Sequence, residues 1–341
     1  MNLGYVLAPK PLHCLLIATA LLGSAFPSAE ATDVADQVVA SIKPVHSLVS
    51  GVMAGVGEPH LIIRGNTSPH AFSLRPSDAA SLENARVVFL VGKSVETSLV
   101  SSAGTLARHA RIVLLSEAQG LVQRPLRDGG DFETHEHHEK EHSDEGQAHD
   151  HGADDHHEHH ENKGDSELDL HLWLDPANAG TMVRVIADTL SEADPANAGA
   201  YAANAEMLLR RLEGLTAEIA TELAPARNRP FIVFHDAYQH FEGRFGLKAV
   251  GSVMVSPDQV PSVRRITELR DKVRRLGAIC VFAEVQFEPS LVDTIIEGTS
   301  ARTGMLDPLG AADPNGSEAY FDLIRNMATS FKQCLAPADS G

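Results

Sequence analysis

Phe231-Ile232-Val233-Phe234-His235-Asp236 is a run of four apolar residues that stops on an imidazole and a carboxylate. Short, continuously apolar runs suit strands buried on both faces, as in parallel sheets covered by helices. Similar runs occur at 38–42, 60–64, 87–91 and 111–115, and again at 249–253, 279–283 and 304–306. Helix signals separate them. Pro76 sits well as a first helical residue, Pro261 and Pro289 can open two more helices, and Gly246 can close one that begins near Asp236. The pattern predicts an α/β fold of two parallel-sheet lobes, at 32–176 and 227–341, with ligands expected beyond the carboxyl ends of the strands.

The segment 177–226 joins the two halves. Asp194-Pro195 reads as a cap with proline at the first helical position. Tyr201, Ala205, Leu208, Leu212, Leu215, Ile219 and Leu223 then recur at spacings of three and four. This predicts one long helix over 195–224, roughly 29 residues or about 44 Å. Pro225 and Pro230 end it, and a shorter helix at 180–192 precedes it. The stripe reads as a rigid strut across both lobes of a monomer.

Between the lobes, 131–169 holds ten of the 18 histidines: His135, His137, His138, His142, His149, His151, His156, His157, His159 and His160. Fifteen Asp and Glu residues stand among them, and only Lys140 and Lys163 offset these. With almost no apolar residues to bury, such a tract is expected to be a disordered loop. Imidazole and carboxylate are workable zinc donors, so it reads as a weak metal collector. The formal net charge is −18, most of it in this tract. That sign argues against a nucleic-acid partner and favours cations.

Residues 1–31 read as a secretory signal. Lys10 precedes an apolar run at 12–22 that is too short to span a bilayer, and Ala29-Glu30-Ala31 fits a cleavage site. Cys280 and Cys334 are the cysteines left after cleavage, and an oxidising compartment predicts one disulfide between them.

Three histidines outside the tract have informative contexts. His70 follows the strand-like run ending at Arg64, His171 stands where apolar sequence resumes after the tract, and His235 follows the opening run. Asp307 follows 304–306 in the same way. His70, His171, His235 and Asp307 can meet between the lobes, and three imidazoles plus a carboxylate or water suit tetrahedral zinc. His46, His60, His109 and His240 fit no such pattern and read as structural or surface residues. Trp173 reads as interlobe packing.

From Thr32 to Leu335 the chain resembles the zinc-binding receptors of bacterial ABC zinc importers, the ZnuA-like cluster A-I of solute-binding proteins. Six segments carry the likeness, in family order: Val39-Ala40-Ser41-Ile42-Lys43-Pro44, Pro69-His70-Ala71-Phe72-Ser73-Leu74-Arg75-Pro76-Ser77-Asp78, His171-Leu172-Trp173-Leu174-Asp175-Pro176, Phe234-His235-Asp236-Ala237-Tyr238, Val281-Phe282-Ala283-Glu284-Val285-Gln286-Phe287 and Leu306-Asp307-Pro308-Leu309-Gly310. The resemblance implies a non-enzymatic periplasmic receptor that carries Zn²⁺ to an inner-membrane ABC permease. It puts His70, His171 and His235 at the ligand positions. Manganese-importing relatives tend to have a carboxylate where His235 stands and to lack a histidine tract, so both features favour zinc. Pro69 stands where some zinc members have a glutamate, which leaves the fourth position to Asp307 or water. Glu284 is expected to orient a ligand histidine. The rival readings are a manganese or iron receptor, a zinc-dependent hydrolase and a periplasmic zinc buffer. No general base or oxyanion device stands out beside the ligand histidines to support the hydrolase.

Overall fold

The computed structural model describes residues 34–127, 131–132, 168–254, 263–287 and 290–336, together with Met1. The expected signal at 1–31, apart from Met1, and the histidines of the tract lie outside the described residues. Contacts divide the chain into Met1–Thr32 and Asp33–Gly341, and every strand and helix described belongs to the second unit.

Among the described residues, eight short strands form where the apolar runs predict them: β1 (Val38–Ala40), β2 (His60–Leu61), β3 (Val87–Leu90), β4 (Arg111–Leu114), β5 (Phe231–Val233), β6 (Ala249–Ser252), β7 (Cys280–Glu284) and β8 (Arg302–Leu306). They make two parallel sheets with the same internal arrangement, β2-β1-β3-β4 and β6-β5-β7-β8. Most strand residues are buried, as helices on both sheet faces require. In the second sheet the strand order reverses between β5 and β7, which opens a crevice at their carboxyl ends.

The helices described are α1 (Lys43–Val52), α2 (Pro76–Glu83), α3 (Thr97–Leu106), α4 (Pro176–Ala193), α5 (Ala198–Glu222), α6 (Gln239–Phe245), α7 (Val263–Leu276), α8 (Ser290–Ile296) and α9 (Ala319–Leu335). Pro76 opens α2, and Gly246 closes α6 in the left-handed conformation (φ 74°). The whole predicted stripe of α5, Tyr201 to Leu223, is buried. It lies against α1, α4 and α9. Asn204 donates to the carbonyls of Val52 and Ala54, and Arg211 and Arg325 pair across α5 and α9 with Glu318 and Glu218.

The helix starts later than the Asp194-Pro195 cap predicts. Pro195–Asn197 is a separate 3-10 turn. Asp194 is the cause: its backbone N–H closes α4 on Leu190, and its carboxylate takes hydrogen bonds from Asn197 and the Tyr201 hydroxyl. Those bonds tighten the chain between the two helices and leave Asn197 to precede α5.

The main apolar core runs through both halves, and a smaller one lies on the other face of the second sheet. Polar latches tie the halves where the strand ends face each other. The buried Lys43 ammonium donates to the carbonyls of Gly310 (2.7 Å), Ala311 (3.0 Å) and Asp313 (2.6 Å). Burial lowers its pKa although Asp313 and Asp307 pull the other way. Trp173 Nε1 donates to Pro308 O, and Tyr320 donates its hydroxyl to Trp173 O. Trp173 is fully packed, as interlobe packing predicts. Cys280, at the start of β7, is bridged to Cys334 of α9. No described helix is long and apolar enough to cross a membrane.

Candidate metal centre

The fold brings three distant imidazoles together. Pro69 starts a 3-10 turn that carries His70, His171 directly precedes another turn at Leu172–Leu174, and His235 comes two residues after β5. Each offers a ring nitrogen, and these nitrogens all lie within 4.8 Å of one another. Ring centroids are 5.7 Å apart for His70 and His171, 6.1 Å for His70 and His235, and 5.4 Å for His171 and His235. A tetrahedral zinc with bonds of about 2.0–2.1 Å needs nitrogens about 3.3 Å apart, so the group is close to ligating geometry.

Two carboxylates orient the rings. Glu284, the last residue of β7, lies 2.6 Å from His235 Nδ1. Asp169 lies 2.7 Å from His171 Nδ1 and also accepts from the His171 backbone N–H. A carboxylate only accepts, so each Nδ1 carries the proton and each neutral ring turns its Nε2 lone pair outward. Nε2 of His235 is buried and bonded to no described residue. Beside it, Arg127 clamps Asp236 and Glu242, which fixes the segment that follows β5.

Asp307 does not join the three histidines. Its Oδ1 accepts from Gln286 Nε2 and Leu309 N, and its Oδ2 from Ala311 N. Bonds from the turn after β8 and from Gln286 hold the carboxylate that the sequence offers as a possible fourth ligand. Among the described residues, the cluster of possible ligands contains the histidines alone. Glu284, at the end of β7, stands against His235. Asp169 has the same relation to His171, yet in the sequence it is one acid among the fifteen of the tract.

The expected disordered tract is corrected at both ends. Asp169 is fully buried, its backbone N–H bonds to Arg124 O, and its carbonyl accepts from Nε2 of buried His240. Asp131 pairs with Arg275, and its carbonyl accepts from Ser252 N at the edge strand β6. Backbone pairing and burial at the ends outweigh their polar composition. Of the remaining histidines, His46 is buried and bonded to Pro59 O, and His60 lies against Arg64.

Electrostatics set a pH dependence. Burial disfavours the charged form of His235, but Glu284, with Asp236 and Asp169 behind it, outweighs burial and holds the pKa above the ordinary 6.5. A metal must displace that proton. Affinity is therefore expected to fall on acidification from a pH above the ordinary histidine value, by about tenfold per pH unit for one proton. The metal-free fold behaves oppositely. The raised pKa contributes stability that is complete below the unfolded value and is lost as pH rises through the folded one. Zinc competition titrations and melts of metal-free protein across this window check both slopes. A flat affinity profile there contradicts the assignment.

The histidines face a small cavity that Ser68, Pro69, Trp173, Glu284, Gln286, Phe287, Pro308 and Leu309 also line. The space open to the centre of a water-sized sphere is about 20 Å³, little more than one water requires. Neutral nitrogen donors in a tight pocket with largely apolar walls suit one borderline cation such as zinc.

Residues 38–334 match the family model described as ZnuA, the periplasmic component A of a zinc-uptake complex. The high-affinity zinc uptake system protein ZnuA of Brucella suis biovar 1 (strain 1330) is 49% identical over 333 residues, covering 96% of this chain and 99% of the relative. The protein of the same name from Yersinia pestis is 32% identical over 327 residues, covering 95% and 97%. A crystal structure of ZnuA shares the fold with a TM-score of 0.69 at 23% identity, covering 88% of this chain and 98% of that one.

Proposed function

Because the chain belongs to the ZnuA family of periplasmic zinc-uptake components, we propose that it binds one Zn²⁺ tightly through His70, His171 and His235 and hands it to an inner-membrane ABC permease. The observation that carries this reading is the convergence of three imidazole nitrogens within 4.8 Å. Two of the rings are already turned Nε2-outward by carboxylates. The chain works as an exported monomer whose signal is removed near Ala31.

The centre holds cargo and performs no catalysis. Glu284 and Asp169 are the carboxylates nearest the ligands, and both are bonded to ligand Nδ1 atoms, so neither stands ready as a general base. Metal-dependent turnover of an ester or of CO₂ would contradict this. The all-nitrogen set disfavours manganese, which prefers oxygen.

The histidine tract serves as a loose collector that raises the local zinc concentration for the tight site. Deleting 131–166 is expected to leave one tight zinc per molecule and remove the weaker ones, as counted by metal analysis and calorimetric titration. Loss of the tight site with the tract would overturn this division of labour.

A further inference from the structure

Among the described residues that line the pocket, Gln286 is the one besides the ligand His235 with a buried acceptor bonded to no described residue. It lies just past β7 and lines the same cavity as the three histidines. Its Oε1 is buried and bonded to no described residue. Its orientation is fixed, because Nε2 donates to Asp307 Oδ1 at 3.1 Å. A carboxylate cannot donate, so the amide must show its nitrogen to Asp307 and keep its oxygen on the other side. Asp307 is itself held by the backbone N–H groups of Leu309 (3.1 Å) and Ala311 (2.6 Å). The sequence thus supplies a chain of bonds from the turn, through Asp307, to the buried carbonyl oxygen of a residue that lines the pocket.

We propose that Gln286 holds the water that completes the coordination shell of the zinc, its Oε1 accepting a hydrogen bond from that water. The proposal rests on the zinc-receptor reading above. Zinc sites in proteins draw on thiolate, imidazole and carboxylate, and a carboxamide oxygen stands outside that set. It is, however, a good acceptor for a metal-polarised water. The cavity of about 20 Å³ has room for one. The arrangement also gives Asp307, which lies outside the histidine cluster, a role. It acts one step back, locking the amide, and leaves the ion with neutral donors. Neutral donors keep capture reversible, as a carrier needs.

The test uses the full chain with Gln286→Leu, Gln286→Met and Gln286→Glu. Zinc release to a chelator is timed, and absorption at the zinc edge counts the donors. Leu and Met keep the volume and remove the acceptor. Both should still bind one zinc through three nitrogens and an oxygen, and release it about 10- to 100-fold faster, the usual range for partners behind the ligands. Glu can share a proton with Asp307 and keep an oxygen towards the pocket, so its release should stay within about threefold of the parent. Unchanged release in both Leu and Met, or no rescue by Glu, overturns the proposal. Loss of the oxygen donor in the Leu and Met proteins also overturns it, since the carbonyl would then be the ligand. His235→Ala is the control: if it binds zinc as the parent does, the receptor reading itself fails. If it loses zinc while Gln286→Leu matches the parent, only the role of Gln286 fails.

Discussion

Replacing His235 with alanine is expected to weaken zinc binding by about two to three orders of magnitude. A structural zinc site contributes roughly 10–16 kcal/mol through four donors, so one donor accounts for about 3–4 kcal/mol. His235 is the most buried of the three ligands, and its Nε2 has no described partner within the protein. The same substitution strands Glu284, which is 1% exposed and bonded to the ring it would lose. An unpaired buried carboxylate is costly, so the metal-free variant should also melt lower. Adding Glu284→Gln should recover that stability and leave zinc binding impaired. Competition with a chelator of known affinity, beside thermal melts, separates the two effects. If the double variant regained zinc binding, the loss would have come from misfolding and not from a missing donor.

The second large effect is on stability. Converting Cys280 and Cys334 to alanine should lower the unfolding free energy by about 4 kcal/mol, the chain-entropy value for a loop of this size, since the bridged residues are 54 apart in sequence. Zinc affinity should stay within about threefold of the parent. Cys280 opens β7 and Glu284 closes it, so the bridge and the centre are separated by about 13 Å of strand. Denaturant unfolding of the two proteins, with zinc titrations on each, is the measurement. An equal collapse of affinity and stability would mean that the staple also shapes the site.

The residues that made the fold legible are those whose burial is continuous. Each apolar run became a strand, and each residue from Tyr201 to Leu223 in the stripe of α5 became core, because period and apolarity report burial directly. The start of α5 was not legible. Asp194 and Pro195 looked like an ordinary cap, and only the bonds of Asp194 to Asn197 and Tyr201 explain the intervening 3-10 turn.

At the site, His70 and His235 stand out through strand-end placement, His171 through its place where apolar sequence resumes after the tract, and all three through the resemblance. Asp169 does not, since composition cannot tell one buried acid from fourteen neighbours. The spacing Asp169-Leu170-His171 was the available signal, as it lets a carboxylate reach its own neighbour's ring. Asp307 shows the reverse. The sequence offers it as a ligand by its place after a strand, but does not show that backbone N–H groups bond to both of its oxygens. Gln286 falls in a segment that carries the resemblance, but nothing there marks it as a site residue, because an amide matters here only through what holds its nitrogen.

The central claim is that folding gathers His70, His171 and His235 around one ion. Anomalous scattering at the zinc edge from crystals of the loaded protein tests it most directly. The account predicts one strong peak at about 2.0–2.1 Å from a ring nitrogen of each of the three residues. A principal zinc peak elsewhere, or one that touches fewer than all three, would contradict it.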